Sequence, residues 1–145
     1  MPLDQVPEAW SFSRRVNYHE TDAMGVAHHT HYLRFYEEAR VAWIGEMGLG
    51  KYHFPVIDVH WAVLETTVQH FKPALFDKTL RIFIQVKRQG LKLGFQYATY
   101  SNESDECISV GETWLVPVSG ELKPVKVPQE VKDVFKRHEW TETWL

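Results

Sequence analysis

Asp22 and Gly25 are the residues of this chain whose types and spacing favour chemistry. They lie in the segment Asn17-Tyr-His-Glu-Thr-Asp-Ala-Met-Gly-Val-Ala-His-His-Thr-His-Tyr-Leu33, just ahead of a long amphipathic pattern. The first turn of a helix leaves backbone N–H groups without partners, and these groups attract negative charge. A carbonyl group placed between Asp22 and such a helix start would be polarised by the N–H groups and attacked from the carboxylate side. That arrangement is suited to acyl transfer.

A helix that positions these groups is predicted from Thr30 to Met47, where apolar residues recur every three or four positions. They form one wide face and comprise Tyr32, Phe35, Tyr36, Ala39, Trp43, Ile44 and Met47. Leu33, Val41 and Ala42 widen this face, which predicts burial on more than one side. Gly48 and Gly50 are expected to end the helix.

Strands are predicted before and after this helix, because apolar residues alternate there with a period of two. The first is expected at residues 11–19, and the later ones at 58–71, 80–87, 93–98 and 107–118, with a turn at 118–121. A short helix is predicted from Pro128 to His138, because proline suits a first helical position. One long helix followed by four strands is typical of an α+β layer, with an antiparallel sheet curved around the helix.

Length and composition limit the possibilities further. The 145 residues suit one domain, residues 1–145, with a core at about 10–128 and a short helix and tail at 128–145. Sixteen basic and nineteen acidic residues give a net charge of −3, which argues against nucleic-acid binding. No apolar run is long enough to cross a membrane, and the N-terminus lacks the regions of a signal peptide. Cys107 is the only cysteine, so no internal disulfide is possible. We therefore expect a cytoplasmic protein.

Two motifs resemble those of a known family. The first is Tyr18-x-x-x-Asp22-x-x-Gly25-Val26-x-x-His29-x-x-Tyr32-Leu33, followed by Phe35-Tyr36-Glu37-x-Ala39-Arg40. The second is Phe71-Lys-Pro-Ala-Leu-Phe-Asp77, which matches a turn between the family's second and third strands. Both resemble the hotdog-fold acyl-CoA thioesterases, and within them the 4-hydroxybenzoyl-CoA thioesterase and YbgC-type branch.

This resemblance implies the hotdog fold, in which a curved antiparallel sheet of about five strands wraps a long central helix. It implies an enzyme that hydrolyses the thioester of an acyl- or aroyl-CoA without a metal or other cofactor. It also implies a homodimer or homotetramer with sites between subunits. An acyl carrier protein is a further candidate partner.

The resemblance also changes the interpretation of the site residues. From spacing alone, a turn or capping role is favoured for Asp22, but Asp22 matches the family's catalytic carboxylate, which acts as nucleophile or general base. His29 matches the position whose main-chain N–H polarises the thioester carbonyl, and its imidazole is a candidate for water activation or substrate contact. Tyr18 matches a site tyrosine, although a strand-end core aromatic is the alternative. Gly25, with Val26 and His28, is expected to contact substrate.

Basic residues are the candidates for binding the phosphates of coenzyme A. They are Lys87, Arg88 and Lys92, of which Lys92 aligns roughly with a CoA-contacting segment of the resembling branch. The alternative is that they are solvated edge-strand residues that discourage aggregation.

Three alternative interpretations compete with metal-free hydrolysis. A metal site in the histidine cluster, His19, His28, His29 and His31, is disfavoured, because neighbouring His28 and His29 are expected to point to different faces and no His-x-x-x-His pair exists. A hydratase or dehydratase acting on 3-hydroxyacyl thioesters would use His29 and Glu37, which are eight residues apart, or about 12 Å of helical rise. A non-catalytic scaffold protein is the third class, since fold does not fix function.

Overall fold

The computed structural model describes residues 9–53 and 57–145. These residues form five strands and two helices. In chain order they are β1 (Trp10–Arg15), α1 (Tyr32–Glu46), β2 (His60–His70), β3 (Thr79–Gln89), β4 (Lys92–Ser101), β5 (Cys107–Val118) and α2 (Gln129–Arg137). Short 3-10 turns at Tyr18–Glu20 and His29–His31 lie between β1 and α1, and a third follows α1 at Gly50–His53.

The strands form one antiparallel sheet in the order β1-β3-β4-β5-β2. β1 and β2 are therefore the two edges, although they lie nearest to α1 in sequence. The register of β2 against β5 shifts between Val63 and Glu65, which marks an irregularity in this edge strand. The predicted α+β fold with about five antiparallel strands and a long helix is confirmed.

Helix α1 packs on one face of the sheet through the apolar residues that its period predicts. Tyr36 is fully buried, and its ring stacks on that of Tyr97 from β4 with the centroids 4.3 Å apart. The Tyr36 hydroxyl lies 2.8 Å from the Ser109 hydroxyl of β5. Gly111 leaves room for this ring, because a Cβ at that position would overlap it. The centre of α1 is thus held on β4 and β5.

The opposite face of the sheet is covered by the C-terminal tail. Trp144 is buried against a second apolar cluster that contains Phe83, Ala98, Tyr100, Cys107 and Val110. The backbone N–H of Trp144 donates to the Gln96 side chain at 3.0 Å, which in turn donates to the Thr143 hydroxyl at 2.8 Å. This cover contributes to the burial of Cys107.

Two predictions about elements near the site were wrong. The first strand ends at Arg15, and Tyr18 belongs to the following 3-10 turn, where it is 79% exposed instead of being a core aromatic. Helix α1 is not enclosed on several sides within this chain, because Leu33 and Val41 are exposed. None of the helices within the described residues has the length and apolar character needed to cross a membrane.

Candidate active site

Asp22 lies in a short hairpin that ends where the helix begins. The backbone N–H of His28 donates to the carbonyl oxygen of Glu20 at 2.9 Å, and that of Asp22 donates to the carbonyl oxygen of Val26 at 2.9 Å. Gly25 occupies the tip with φ +77°, a left-handed conformation that glycine adopts without strain. The Asp-x-x-Gly spacing in the sequence is therefore explained by the turn.

The carboxylate of Asp22 is exposed and is oriented by its own loop. One of its oxygens accepts the backbone N–H of Met24 at 2.8 Å. Asp22 shares an open groove with Tyr18, Gly25 and Phe76, and the rings of Tyr18 and Phe76 meet edge to face with centroids 5.7 Å apart. Tyr18 and Asp22 thus line the same groove.

The second motif supports the first through backbone pairing. The N–H of Ala27 donates to the carbonyl of Ala74 at 2.7 Å, and the N–H of Phe76 donates to the carbonyl of Gly25 at 2.9 Å. Val26, predicted to contact substrate, forms a bridge with Leu75 between these two bonds. The turn before β3 therefore holds the Asp22 hairpin from one side.

The helix start presents an unused backbone donor. His28 caps the 3-10 turn, since its Nδ1 lies 3.3 Å from the Thr30 backbone nitrogen and 2.8 Å from the Thr30 hydroxyl. The N–H of His31 bonds the His28 carbonyl at 3.0 Å. Within residues 9–53 and 57–145, the backbone N–H of His29 donates to no acceptor. His29 can therefore offer this N–H to a ligand.

The imidazoles near the helix start are closer together than the sequence suggested. The rings of His28 and His29 have centroids 4.3 Å apart, so the expectation that they point to different faces was wrong. His28 precedes the helical residues with ψ 141°, and this extended backbone turns its ring back towards the first turn. Across the described part of the chain, no group of three His, Cys, Asp or Glu side chains could hold a metal ion.

His70 joins this group from β2, although sequence reasoning did not identify it. Its ring lies 4.6 Å from the Tyr32 ring, and burial together with the nearby charge of His29 lowers the pKa of His70. The pKa of His31 is also lowered, by burial and by the adjacent Arg34. Both effects favour neutral imidazoles beside the helix start.

Glu20 is a second residue that sequence reasoning did not identify. Its side chain is 0% exposed and accepts two hydrogen bonds from Arg14, at 2.7 and 2.9 Å. Arg34 and the Asn17 backbone N–H also donate to it. Burial alone would raise the pKa of Glu20, but the hydrogen bonds from Arg14 and Asn17, with the charges of Arg14 and Arg34, lower it. Glu20 is therefore held as a buried carboxylate.

The predicted coenzyme A residues lie far from Asp22 within the same chain. Phe76, just before β3, bonds Gly25 of the Asp22 hairpin, whereas Arg88 lies near the other end of β3, nine residues beyond Thr79, or about 30 Å along the strand at the usual rise per residue. Arg88 donates to the Gly90 carbonyl at 2.9 Å and so supports the hairpin turn. Lys87 lies over the Trp140 ring, and Lys92 begins β4. One chain does not bring these basic residues to Asp22.

A largely apolar cavity lies at that far end, between α1, α2 and the sheet. Its volume is about 230 Å³, and its walls include Tyr52, Trp61, Leu93, Phe95 and Phe135. Arg40 also lines the cavity. Its guanidinium donates to the Tyr97 hydroxyl at 3.0 Å and lies 3.9 Å from the Glu37 carboxylate. The cavity could accept an apolar acyl or aryl group, with Arg40 available to a polar substituent.

Comparisons with known proteins agree with this architecture. The model of a family described as the thioesterase-like superfamily matches residues 16–135. Among curated proteins, the acyl-CoA thioester hydrolase YbgC of Escherichia coli O6:H1 is 29% identical over 125 residues, which cover 85% of this chain and 92% of the relative. The acyl-CoA thioesterase YbgC of Haemophilus influenzae is 27% identical over 128 residues, which cover 87% of this chain and 93% of that relative.

Solved structures are similar as well. The crystal structure of a 1,4-dihydroxy-2-naphthoyl-CoA thioesterase from Synechocystis matches with a TM-score of 0.80 at 20% identity, over 87% of this chain and 94% of that one. A protein of Aquifex aeolicus matches with a TM-score of 0.80 at 25% identity, over 87% of this chain and 98% of that one. The matched residues include both motifs, the Asp22 hairpin and all of α1, and so the chain belongs to the thioesterase-like superfamily of hotdog-fold proteins.

Proposed function

We propose that this protein hydrolyses the thioester bond of an acyl- or aroyl-CoA to give the free acid and CoA. The observation that carries the proposal is that the exposed Asp22 carboxylate and the unused N–H of His29 belong to one short hairpin and helix start. The curated relatives named as acyl-CoA thioesterases support the same reaction.

In this reaction, the thioester carbonyl oxygen accepts the backbone N–H of His29, which stabilises the negative charge that develops as the carbonyl is attacked. Asp22 then acts in one of two ways. It attacks the carbonyl carbon and expels the CoA thiolate, and water hydrolyses the resulting anhydride, or it removes a proton from a water molecule that attacks directly. In both routes water is consumed, the acyl group gains the hydroxyl, and the proton balance yields the CoA thiol.

A second copy of the chain is part of the proposal. β2 is an open edge strand on which Val63 and Leu64 are exposed, and α1 exposes Leu33 and Val41. Val41 and Val63 both lie at the mouth of the apolar cavity. Exposed apolar residues along an unpaired strand edge favour association with another copy. We infer a homodimer through this face, which two such dimers could extend to a tetramer.

A two-fold axis through this face, perpendicular to β2 and α1, would make the two α1 helices run in opposite directions. The helix start of one copy would then approach the later half of the other helix, where Arg40 lines the cavity. Lys92 precedes Leu93 of the cavity wall, so the same rotation would carry Lys92 of the second copy towards the Asp22 hairpin of the first. The site would thus combine Asp22 and His29 from one copy with the acyl cavity and basic residues of the other.

Thiol release from a panel of thioesters tests the proposed function. The panel contains short and long aliphatic acyl-CoAs, aroyl-CoAs with and without ring hydroxyls, and one acyl group carried on an acyl carrier protein. We expect CoA release with at least one acyl- or aroyl-CoA. Conversion of a 3-hydroxyacyl-CoA to its enoyl-CoA without thiol release would instead support a dehydratase, and no turnover of any thioester would support a binding protein.

A further inference from the structure

The Glu20 carboxylate is the meeting point of three separate parts of the chain. Arg14 reaches it from β1, Arg34 reaches it from the first turn of α1, and the N–H of Asn17 reaches it from the start of the loop. The guanidinium of Arg14 also bonds Glu38 of α1 at 3.0 Å. Buried carboxylates are costly unless they are fully paired, and this carboxylate is paired on both oxygens.

Glu20 is also joined to the active-site hairpin through its backbone. Its carbonyl oxygen accepts the N–H of His28, directly before the donor at His29. Its neighbour Thr21 forms a β-bridge with Ala27, and the N–H of Asp22 donates to the carbonyl oxygen of Val26. The side chain of Glu20 therefore fixes the base of the hairpin, whereas the bonds of Asp22 itself, to Met24 and Val26, lie inside the hairpin.

The hairpin is attached to the sheet and to the helix by different means. Backbone bonds from Ala27 and Phe76 tie it to the turn before β3. On the helix side, among ion pairs of the described residues, the link between the hairpin segment and α1 is Arg34 with Glu20. A carboxylate that must meet a carbonyl bound at the helix start needs its position set relative to that helix.

We propose that Glu20 is a positioning residue that, through Arg34 and Arg14, fixes the Asp22 hairpin against the start of α1. Glu20 does not touch the reacting atoms in this account. For its kinetic consequence the inference rests on the proposed thioester hydrolysis. For its structural consequence, the protection of the hairpin backbone, it rests on the contacts alone.

Three variants and a control test this role. Glu20→Gln removes the negative charge but risks instability, because Arg14 and Arg34 then lose the carboxylate that neutralises both of them. Arg34→Gln is the milder variant, since the Arg34 side chain is 43% exposed and Glu20 keeps Arg14. Arg34→Lys restores a cation that can reach Glu20. Glu38→Gln is the matched control, because it removes the charge of the outer partner of Arg14 and leaves every bond of Glu20.

Amide hydrogen exchange over residues 20–28 is the readout that does not depend on activity. In Glu20→Gln and Arg34→Gln we expect exchange in this segment to accelerate by about tenfold or more, while the buried centre of β4 is unchanged. In Arg34→Lys and Glu38→Gln we expect it to stay within about twofold of wild type. Unchanged exchange in Arg34→Gln and in folded Glu20→Gln would overturn the positioning role, whether or not any thioester is hydrolysed.

Kinetics supply the second readout. On the best substrate of the panel, Arg34→Gln should lower kcat by about tenfold or more with KM within about threefold, because alignment and not binding is lost. Arg34→Lys should recover most of that loss, and Glu38→Gln should keep kcat within about twofold of wild type. An equal loss of kcat in Glu38→Gln and Arg34→Gln would reduce the network to a general stabilising role.

Discussion

The backbone N–H of His28 donates to the carbonyl oxygen of Glu20 at 2.9 Å, which closes the hairpin that carries Asp22 at the residue before the helical turn. The carboxylate and the unused N–H of His29 are consequently parts of one continuous structure of ten residues, Glu20 to His29, and their relative position depends on this closure. The proposed reaction requires the backbone N–H, the side chains and the assembly, and each of these can be altered separately.

We expect that proline at residue 29 removes the main-chain donor and preserves the fold around it. Proline has no N–H but suits the first position of a helix, and His28 before it is already extended, with φ −63° and ψ 141°. We expect His29→Ala to lower kcat by less than about tenfold and His29→Pro to lower it by about 10²-fold or more. Steady-state kinetics on one substrate compare the two variants directly.

The outcome of this pair also assigns the imidazole. Equal, large losses in both variants would show that the His29 side chain has a chemical role, as in water activation. Wild-type turnover in folded His29→Pro would remove the backbone N–H from the mechanism.

Chelation is predicted to leave activity intact, because the reaction relies on a helix start where a metallohydrolase uses a Lewis acid. The measurement is thiol release after dialysis against EDTA, with a Zn²⁺ or Fe²⁺ add-back. Activity that is abolished by EDTA and restored by either ion would revive the interpretation of the histidine cluster as a metal site.

Acid should destabilise the protein partly through Glu20. Because its folded pKa is lowered below the usual 4.5, Glu20 contributes stability that is present above about pH 4.5 and is lost as the pH falls through the folded value. Urea unfolding at a series of pH values, from neutral downwards, measures this effect. In Glu20→Gln the free energy of unfolding should depend less on pH below about 4.5 than in wild type. An identical pH dependence in the two proteins would argue against a buried ionised Glu20.

Assembly through β2 predicts that activity depends on the open edge of this strand. Leu64 is 53% exposed there and is not part of the cavity wall, so Leu64→Lys should prevent pairing. Ser13→Lys on β1, the other edge, is the matched control. Light scattering and thiol release should show a dissociated, inactive Leu64→Lys protein and a control that resembles wild type. A fully active wild-type monomer of 17.0 kDa would contradict the shared site.

Most of the fold could be predicted because apolar periodicity follows burial. The alternation of Leu80, Ile82, Ile84 and Val86 matches the face of β3 that packs towards α1, and all four side chains are buried. The end of the first strand could not be predicted in this way. Tyr18 continues the alternation of Phe12, Arg14 and Val16, yet Glu20 and Asn17 cap a 3-10 turn that turns Tyr18 outwards.

The candidate site was predictable only where its residues are close in sequence. Asp22, Gly25 and His29 belong to one motif, and the hairpin brings them together. Glu20 resembles a solvated surface residue in the sequence, because its partners Arg14 and Arg34 are six and fourteen positions away and meet it only in the folded chain. The same holds for His70, which reaches the helix start from the far end of β2.

The replacement Asp22→Asn tests the central claim most directly, since it keeps an oxygen that can accept the Met24 N–H but removes the charge that attacks the thioester or activates water. Single-substrate kinetics with the best acyl- or aroyl-CoA, together with the thermal unfolding midpoint, form the measurement. The account predicts a fall in kcat of about 10²–10⁴-fold with a nearly unchanged unfolding midpoint. Equal turnover by Asp22→Asn and wild type would contradict it and remove Asp22 from the reaction.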